Sequence, residues 1–403
     1  MTTKTNNEHK KVYVPNLRFK EFQGEWKKTK FGDIATGFDY GMNAAAKNYD
    51  GVNKYIRITD IDEASSTYTD KDIVSPDGVL TDNYLVNNRD ILLARTGAST
   101  GKSYLYKKSD GKLYYAGFLI RANVTTHDPY FVFSQLHTHR YWRWVSIMSA
   151  RSGQPGINSQ EYSSFPIYTT SIEEESKIAK LLSLLDERIA TQYKVIDKLQ
   201  SLIKGINQRV FMNNGINYKL GEISEIRSGY SGNQLLSKKG LKVSRIETIS
   251  GHKVNLERVG YVAPFESSEN YKLQVGDILF SNINSVEYIG NTAFIDKDYD
   301  LYHGMNLLRL TPNNMVVIPF YLYLLLNTNR MLNRFKTVCN KAVSQASINQ
   351  TELGKTVVQI PDINAQKQIC VLYQALYDKL ESEKYANSLF QKQKQYLLRQ
   401  MFI

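Results

Sequence analysis

The 403-residue sequence contains few cysteines, no long hydrophobic run and no apolar segment at its amino terminus. Its two cysteines, Cys339 and Cys370, are too few for a disulfide framework or a zinc cluster. The first residues read MTTKTNNEHKK and lack the apolar core of a signal peptide. The longest apolar run, at 316–326, is too short to span a bilayer and contains Pro319. We therefore expect a cytoplasmic protein that has no membrane partner.

The motifs of common catalytic sites are also absent from the sequence. It has no G-x-G-x-x-G dinucleotide loop, no G-x-S-x-G elbow, no H-E-x-x-H zinc motif and no Asn/Asp-Pro-Pro-aromatic loop of a base-flipping methyltransferase. The six histidines suggest no metal site, because His137 and His139 are two residues apart on a predicted helix and diverge. We expect a binding protein that holds no metal or cofactor, and not an enzyme.

One loop resembles a phosphate-binding P-loop without completing it. Residues 97–103 read GASTGKS, but the G-x-x-x-x-G-K-[ST] pattern requires a glycine where Thr96 stands. The matching loop of the second half, at 284–292, has no lysine. The backbone N–H groups of the first loop, together with Arg95 and Lys102, can instead meet DNA phosphates or base edges.

The charge balance of the chain is strongly basic. Lysine and arginine number 51 against 39 aspartates and glutamates, which gives a formal net charge of +12 and a pI of about 9.3. A surplus of this size favours a polyanionic partner, nucleic acid first. Tyrosine is abundant, with 28 residues against 16 phenylalanines, and it supplies apolar area with a polar tip at surfaces.

The sequence contains two copies of one unit. Residues 156–211 match residues 347–402 without a gap, at a constant offset of 191 (402 − 211 = 191). A repeat of this length indicates duplication of a whole domain with the helix that follows it, and favours a pseudo-two-fold axis. Weaker matches upstream indicate a shared scaffold whose loops differ, and recognition usually lies in such loops. The upstream matches pair 30–34 with 219–223, 54–58 with 242–246, 89–92 with 276–279, and 117–121 with 304–309.

Each copy is predicted to begin as an α+β globule and to end in a long helix. Short β-rich runs at 54–61, 90–94 and 118–124 alternate with turns, and a single helix at 131–143 follows Pro129. The second globule repeats this pattern, including its helix. The predicted boundaries are a flexible arm at 1–15, a first globule at 16–170, a first long helix at 171–215, a second globule at 216–361 and a second long helix at 362–403.

The two tails carry the a/d pattern of a coiled coil. As a helix from 172 to 211, the first tail would span roughly 60 Å at ~1.5 Å per residue. If the two helices pair, duplication favours an antiparallel arrangement in which Ile178 faces Met401 and a Gln192–Asn387 layer fixes the register. The alternative is two separate amphipathic helices, each on its own globule. The seam positions are Ile178, Leu182, Leu185, Ile189, Gln192, Ile196, Leu199, Ile203, Ile206 and Val210 in the first tail, and Ile369, Tyr373, Leu376, Leu380, Glu383, Asn387, Phe390, Lys394, Leu397 and Met401 in the second.

Candidate DNA-contacting residues lie mainly in two matched pairs of loops. The loops at 95–99 and 281–285 each follow an Asp-Ile-Leu strand, and the loops at 151–156 and 341–346 each precede an Ile-Asn dipeptide. In the major groove, arginine and lysine suit guanine, whereas asparagine and glutamine suit adenine. The candidates are Tyr40, Arg57, Arg95, Thr96, Ser99, Lys102, Arg151, Gln154, Asn158, Tyr230, Arg245, Asn282, Asn284, Ser285, Lys341, Ser344, Gln345 and Asn349.

Each candidate also has a structural alternative. The loops could be ordinary polar turns. Arg57 and Arg245 sit in repeated predicted strands and could form structural ion pairs. Tyr40 and Tyr230, which follow similar Gly-containing starts of the two copies, could line DNA or cap their globules.

The order of these features resembles the specificity subunit of type I restriction–modification enzymes over nearly the whole chain. The resemblance rests on WKKTKFGD at 26–33, DILLARTG at 90–97, the Gly-Ile-Asn loop at 156–158 with its Ser-Ile-Asn copy at 347–349, and the two helical tails. It implies two target-recognition domains separated by an antiparallel pair of long helices. Each domain would read one half of a bipartite site in double-stranded DNA.

The same resemblance implies partners. The long helices would dock two methyltransferase subunits, and restriction subunits with motor and nuclease activity would join them. The chain itself would have no catalytic activity. The second tail is more polar along its seam than the first, which leaves the symmetry of docking open. Recognition domains vary within the family, so the resemblance predicts no base sequence.

Two other functions remain as alternatives at this point. One is a stand-alone sequence-specific DNA-binding protein, which would bind tightly without partners. The other is a self-contained NTPase or nuclease that uses the Gly101-Lys102-Ser103 loop, which would show hydrolysis by the purified chain.

Overall fold

The structure is a computed structural model in which the chain folds into two compact units. Unit 1 comprises Met1–Lys194 with Lys384–Ile403, and unit 2 comprises Val195–Glu383. Each unit contains one of the predicted globules and a part of both long helices. The described residues are 13–150, 155–211, 215–341, with the backbone alone at Lys341, and 345–403.

Both units are α+β folds, and the globule in each begins with a strand, a short helix and a second strand. Unit 1 contains strands β1 (Lys27–Lys30), β2 (Ala35–Tyr40), β3 (Ala45–Asn48), β4 (Lys54–Ile56), β5 (Val74–Asp77), β6 (Asp90–Ala94), β7 (Ser103–Leu105), β8 (Leu113–Tyr115), β9 (Leu119–Val124) and β10 (Pro166–Thr169), and helices α1 (Phe31–Ile34), α2 (Pro129–Gln135), α3 (His139–Ser149) and α4 (Ser159–Ser163). The first long helix is α5 (Ile172–Val210). Unit 2 contains strands β11 (Ile216–Lys219), β12 (Ser224–Ser228), β13 (Leu241–Val243), β14 (Gly260–Val262), β15 (Ile278–Ser281), β16 (Ile283–Asn284), β17 (Thr292–Phe294), β18 (Leu307–Pro312), β19 (Asn340–Lys341), β20 (Ala346–Ser347) and β21 (Val357–Ile360), and helices α6 (Leu220–Ile223), α7 (Pro319–Leu326), α8 (Asn329–Val338) and α9 (Gln350–Gly354). The second long helix is α10 (Ile363–Met401).

The central four-stranded sheet has the same order in both units. It runs β2-β9-β6-β7 in unit 1 and β12-β18-β15-β17 in unit 2, antiparallel throughout. The register also corresponds, since Leu92 lies opposite Arg121 and Leu279 lies opposite Arg309. A separate antiparallel pair, β1–β10 or β11–β21, joins the start of each globule to its end. The duplication predicted from the sequence is therefore confirmed in the topology.

Each sheet is covered on one face by helices that form an apolar core. In unit 1 the ring of Trp26 lies 5.4 Å from Phe131 on α2 and 6.1 Å from Phe402, just after α10. In unit 2 the ring of Phe280 on β15 lies 5.0 Å from Phe335 on α8. These five residues are all buried, and four of them, Trp26, Phe131, Phe280 and Phe335, are at most 2% exposed. Burial of such aromatics is the main driving force for closing each unit.

The single helix predicted at 131–143 is wrong, because the structure has two helices, α2 and α3. Asp128 caps α2 by accepting the N–H of Tyr130, and Pro129 occupies its first turn. Thr138 caps the start of α3 with its side chain, whereas the predicted helix ran through this position without a break. Thr328 does the same between α7 and α8 in unit 2. A single capping threonine marks the break in each unit, which is why the sequence pattern did not reveal it.

The strand predictions are confirmed in part. The strand predicted at 90–94 matches β6, and the one predicted at 118–124 begins a residue later as β9. The strand predicted at 54–61 ends early, because a 3₁₀ helix at Ile58–Asp60 follows β4. The carboxylate of Asp60 accepts the backbone N–H of Arg57 at 2.8 Å and turns the chain there.

The long helices α5 and α10 pair antiparallel within each unit. In unit 1, Asp186 in the first half of α5 lies 2.6 Å from Lys394 near the end of α10. In unit 2, the hydroxyl of Tyr373 near the start of α10 donates to Asn207 near the end of α5. The alternative of two separate amphipathic helices is therefore wrong.

The predicted register of this pairing is correct to one residue. A register set by Ile178 opposite Met401 places Gln393 opposite Asp186, next to the observed partner Lys394. Every predicted seam position on both helices is buried or half-buried, while the positions between them are largely exposed. A seam of this kind places each apolar side chain between neighbours of the facing helix.

The polar layer predicted within the seam is buried as well. Gln192 and Asn387, both in unit 1, are each 6% exposed. The amide oxygen of Asn387 has no hydrogen-bond partner within the described ranges. The layer therefore lowers stability relative to an apolar pair, as expected of a position that fixes the register.

Tyr13, which was predicted to lie in a flexible arm at 1–15, packs against unit 1. The ring of Tyr13 lies 5.1 Å from that of Tyr168, and the carbonyl of Tyr13 accepts the N–H of Trp26 at 2.7 Å. Residues 13–15 therefore belong to unit 1, and residues 1–12 lie outside the described residues.

Candidate nucleic-acid interface

The two loops predicted to contact DNA in the first globule meet in unit 1. The carbonyl of Arg95, directly after β6, accepts the N–H of Ile157 at 2.9 Å. Thr96 and Gly156 form an isolated antiparallel bridge beside it. Residues far apart in the sequence are thus brought together at the end of strand β6.

The corresponding loops meet in the same way in unit 2. The carbonyl of Asn282, directly after β15, accepts the N–H of Ile348 at 2.9 Å. Strand β16 pairs with β20, and β20 pairs with β19, which ties the second loop to the first. The shared hydrogen bond makes Asn282 the equivalent of Arg95, whereas the loop ranges as predicted aligned Ser281 with it. The correction is one residue.

The side chain of Arg95 lies on the ring of Tyr40 in unit 1. The guanidinium carbon is 4.7 Å from the ring centroid, a distance typical of a cation–π contact. The Tyr40 hydroxyl accepts the N–H of Ser159 at 3.3 Å, and 43% of the Tyr40 residue surface remains exposed. The predicted DNA-contacting residues Tyr40 and Arg95 therefore form one partly exposed surface.

This surface borders a cavity of about 550 Å³ in unit 1. Its lining includes Tyr40, Arg57, Arg95, Tyr55 and Phe118. Phe118 is 60% exposed, although it directly precedes the buried strand β9. Phe118 is not among the DNA-contacting candidates predicted from the sequence. Its position next to Gly117, at the start of a repeated strand, does not by itself predict that the ring is exposed.

Arg57 lines the same cavity but is held by carboxylates. Its guanidinium lies 2.8 Å from Asp60 and 3.1 Å from Asp72. The hydrogen bond to Asp60 is the main cause that raises the pKa of Arg57 above its usual value. Of the two interpretations of Arg57, the structure favours the structural ion pair. Arg57 was predicted to lie in a strand, but β4 ends one residue before it.

The near-P-loop does not have the surroundings of a nucleotide site. In a P-loop the lysine opens a helix whose N-terminus holds the phosphates, but Lys102 here precedes strand β7. Its ammonium group lies 3.3 Å from Glu63. The carbonyl of Gly101 accepts the hydroxyl of buried Tyr141 at 2.8 Å. The loop is thus packed against α3, and Ser99 lies in a 3₁₀ turn at Gly97–Ser99.

Two predicted contact residues cap helices instead. The side-chain oxygen of Asn158 accepts the N–H of Glu161 at 2.9 Å, at the start of α4. Asn349 accepts the N–H of Glu352 at 2.8 Å, at the start of α9. Capping explains why asparagine stands at both positions of the repeat. Both residues therefore have a structural role, and their contact with DNA stays a prediction.

Tyr230 does not match Tyr40 in place. It forms a parallel bridge with Gly304, as Met42 does with Ala116, so Tyr230 is equivalent to Met42. Its ring stacks on Phe265 with centroids 4.0 Å apart, which favours the packing alternative. Arg245 precedes a 3₁₀ helix at Ile246–Ile249, and its guanidinium lies 3.4 Å from Glu247, with both side chains about half exposed.

The remaining candidates of unit 2 lie around β16. The amide nitrogen of Asn284 donates to the Ser281 hydroxyl at 3.1 Å, and its oxygen accepts the N–H of Ser285 at 2.8 Å. Ser285 and Gln345 are exposed. Arg151, Gln154 and Ser344, and the side chain of Lys341, lie outside the described residues.

Within the described part of the chain, no group of histidine, cysteine, aspartate or glutamate side chains is placed to hold a metal ion. No described helix combines the length and apolar character needed to cross a bilayer. The chemistry that the candidate surface offers is therefore that of hydrogen-bond donors, one stacked guanidinium and exposed aromatic rings. These are the groups that contact phosphates and base edges.

Comparison with known proteins agrees with this geometry. The family described as type I restriction modification DNA specificity domain matches residues 23–201 and 215–388. The MjaX type I restriction enzyme specificity subunit assigned to Methanocaldococcus jannaschii is 44% identical over 147 residues, which cover 36% of this chain and only 35% of that relative. The MjaVIII specificity subunit of the same organism is 23% identical over 343 residues, 78% of each chain. The S subunit of a type I restriction-modification system from M. genitalium shares the fold, with a TM-score of 0.62 at 16% identity over 97% of this chain and 99% of that one.

Two copies of one α+β unit, each with two loops joined at the end of a central strand and each containing paired segments of two long helices, define a duplicated two-domain protein. The family match covers both halves of the chain and identifies the domain that is duplicated. The chain belongs to the type I restriction modification DNA specificity domain family and carries two copies of that domain.

Proposed function

We propose that this chain is the non-catalytic specificity subunit of a type I restriction–modification complex, in which each unit reads one half of a bipartite DNA site. The observation that carries the proposal is the identical sheet order of the two units together with different side chains at equivalent loop positions, such as Arg95 and Asn282. A shared scaffold with different loops suits two half-sites of different sequence.

The test is the pattern of DNA methylation in a host that expresses this chain with the methyltransferase subunit of its system. We expect one bipartite motif to be methylated, and we expect the motif to disappear when this chain is omitted. Methylation of the same motif by the methyltransferase subunit alone would contradict the proposal. Specific DNA binding by the isolated chain, with no effect on methylation, would favour the stand-alone DNA-binding protein.

We further propose that the long helices dock two methyltransferase subunits, and that restriction subunits join this core. Both helices carry large apolar side chains that are exposed in the units described here, which is typical of a surface that a partner covers. These are Leu184, Leu202, Val371, Leu372, Tyr385, Leu389 and Tyr396. The mass of the co-purified complex measures the stoichiometry, and a complex with a single methyltransferase subunit per chain would contradict the two-site proposal.

The absence of catalysis needs its own test. The purified chain is expected neither to methylate or cleave DNA nor to hydrolyse ATP. Lys102→Ala in the assembled complex tests whether the loop at 97–103 binds a nucleotide. Because Lys102 pairs with Glu63 and precedes a strand, we expect the ATPase activity of the complex to stay unchanged. Loss of ATPase activity with intact DNA binding and methylation would show that the near-P-loop is a nucleotide site.

A further inference from the structure

Of the two arginines that line the cavity of unit 1, only Arg95 is available to a ligand. Arg57 is held by Asp60 and Asp72. Arg95 makes no ion pair with any residue that the structure describes, and its buried Nε atom has no hydrogen-bond partner there. Its guanidinium is oriented by the ring of Tyr40, 4.7 Å away, and its charge is not neutralised.

The backbone of Arg95 is fixed on both sides. Its N–H donates to the carbonyl of Phe118 at 3.1 Å, and its carbonyl accepts the N–H of Ile157 at 2.9 Å. It directly follows β6, whose residues are all buried. A side chain on a backbone held in this way loses little conformational freedom on binding, which is the condition for a specific contact.

We propose that Arg95 reads a guanine in the half-site bound by unit 1. A guanidinium group can donate two parallel hydrogen bonds to O6 and N7 of guanine in the major groove, a pairing that no other base offers. The exposed ring of Phe118 beside it adds an apolar surface next to the contacted base. This inference rests on the proposed function and names the base that one residue selects.

The equivalent position in unit 2 supplies the most informative substitution. Asn282 has the same backbone hydrogen bond as Arg95, to Ile348 in place of Ile157. Because asparagine suits adenine and not guanine, Arg95→Asn places the side chain of one unit on the scaffold of the other. It removes the guanidinium without adding volume to the site.

The experiment uses the complete complex with its methyltransferase subunits. Its methylation rates are measured on a plasmid library in which the half-site of unit 1 is randomised. The wild-type complex is expected to prefer guanine at one position of that half-site. In Arg95→Asn, this preference should fall by about 10- to 100-fold at that position, and the other half-site should be read unchanged. Arg95→Lys keeps the charge but lacks the planar fork, so it should lose part of the preference.

Each outcome decides the proposal. An unchanged guanine preference in Arg95→Asn, or an equal loss at both half-sites, overturns it. If Arg95→Asn does not assemble, the same readout on Arg95→Lys decides, and an unchanged preference there overturns it. A wild-type complex that methylates no bipartite motif would instead contradict the proposed function, so the two failures are distinguishable.

Discussion

Single residues show how closely the two units share a backbone. Gly41 and Gly229 stand at equivalent places, and a Cβ atom on either would lie far inside contact distance of the carbonyl oxygen of Ala116 or Gly304. Ala116 and Gly304 also form parallel bridges with Met42 and Tyr230, the residues that follow the two glycines. The backbone approach, and not chain flexibility, therefore requires glycine at both sites.

Substitution of these glycines should destabilise the protein. Gly41→Ala and Gly229→Ala are each expected to lower the free energy of unfolding by roughly 1–3 kcal/mol, because the backbones must move apart. Gly205 in α5 is the matched control, since a Cβ atom there meets nothing within 4 Å. Gly205→Ala should stabilise the helix by about 0.5–1 kcal/mol. Chemical unfolding measures all three variants, and equal effects at the three sites would contradict the packing argument.

A buried histidine should make the stability of unit 2 sensitive to acid. Burial is the main cause that lowers the pKa of His303 from 6.5 to about 4, while its Nε2–H donates to the carbonyl of Leu307. The folded pKa lies below the unfolded one, so this contribution to stability is present above pH 6.5 and is lost as the pH falls towards 4. The loss is about 3 kcal/mol at most.

The comparison of variants isolates this effect from other titrating groups. His303→Gln keeps a donor for Leu307 but cannot take up a proton, so its stability should fall less than that of the wild type between pH 6.5 and 4. His139→Gln removes an exposed histidine and serves as the control. Urea unfolding at a series of pH values gives the result, and parallel curves for the wild type and His303→Gln would refute the assignment.

Among the secondary-structure elements, the long helices contain one layer that favours register over stability. Gln192 and Asn387 are buried in a seam that is otherwise mainly apolar near them. The double substitution Gln192→Leu with Asn387→Leu should raise the free energy of unfolding by about 1–3 kcal/mol, because a buried amide oxygen without a partner is removed. Gln192→Leu alone should not give this gain, because the amide oxygen of Asn387 then stays buried without a partner. A double variant less stable than the wild type in urea would contradict this.

The sequence predicted the helices well because their signal is local and long. On each tail, ten positions that alternate in steps of four and three residues predict which face of the helix is buried. The duplication favours the antiparallel pairing. The break at Thr138 was missed because a single capping threonine marks it. The ion pair of Arg57 with Asp72 depends on where the chain returns after β4, which local patterns do not contain.

The structure brings the predicted loops together, and their contacts with DNA stay predictions. Matched loops after β6 and β15 follow from the repeat, and the structure brings Arg95 and Tyr40 together. The exposure of Phe118 could not be predicted, since an aromatic residue beside a buried strand is more often buried. The capping role of Asn158 follows from the Asn-x-x-Glu pattern, which is the sequence signature of a capping box.

For the whole molecule, duplication and net charge have different consequences. The basic surplus of +12 acts without regard to base sequence, so DNA binding by the complex should weaken steeply as salt is added. The two copies act on sequence, because each has its own loops on one scaffold. Affinity and specificity are therefore expected to respond to different substitutions: exposed lysines change the salt dependence, and Arg95 changes the base that is read.

The length of the paired helices is predicted to set the gap between the two half-sites. Helices α5 and α10 each continue from one unit into the other, and an α-helix is stiff, so added length becomes a fixed displacement. Seven residues inserted directly after Gln192 and seven directly before Asn387 keep the heptad, the Gln192–Asn387 layer and the pairing of both helices. Each helix gains roughly 10 Å, or about three base pairs of DNA. Mapping of methylated sites should show unchanged half-sites with a longer gap. Seven residues added to α5 alone should disrupt the pairing and abolish methylation, and an unchanged gap in the double insertion would show that the helices do not set it.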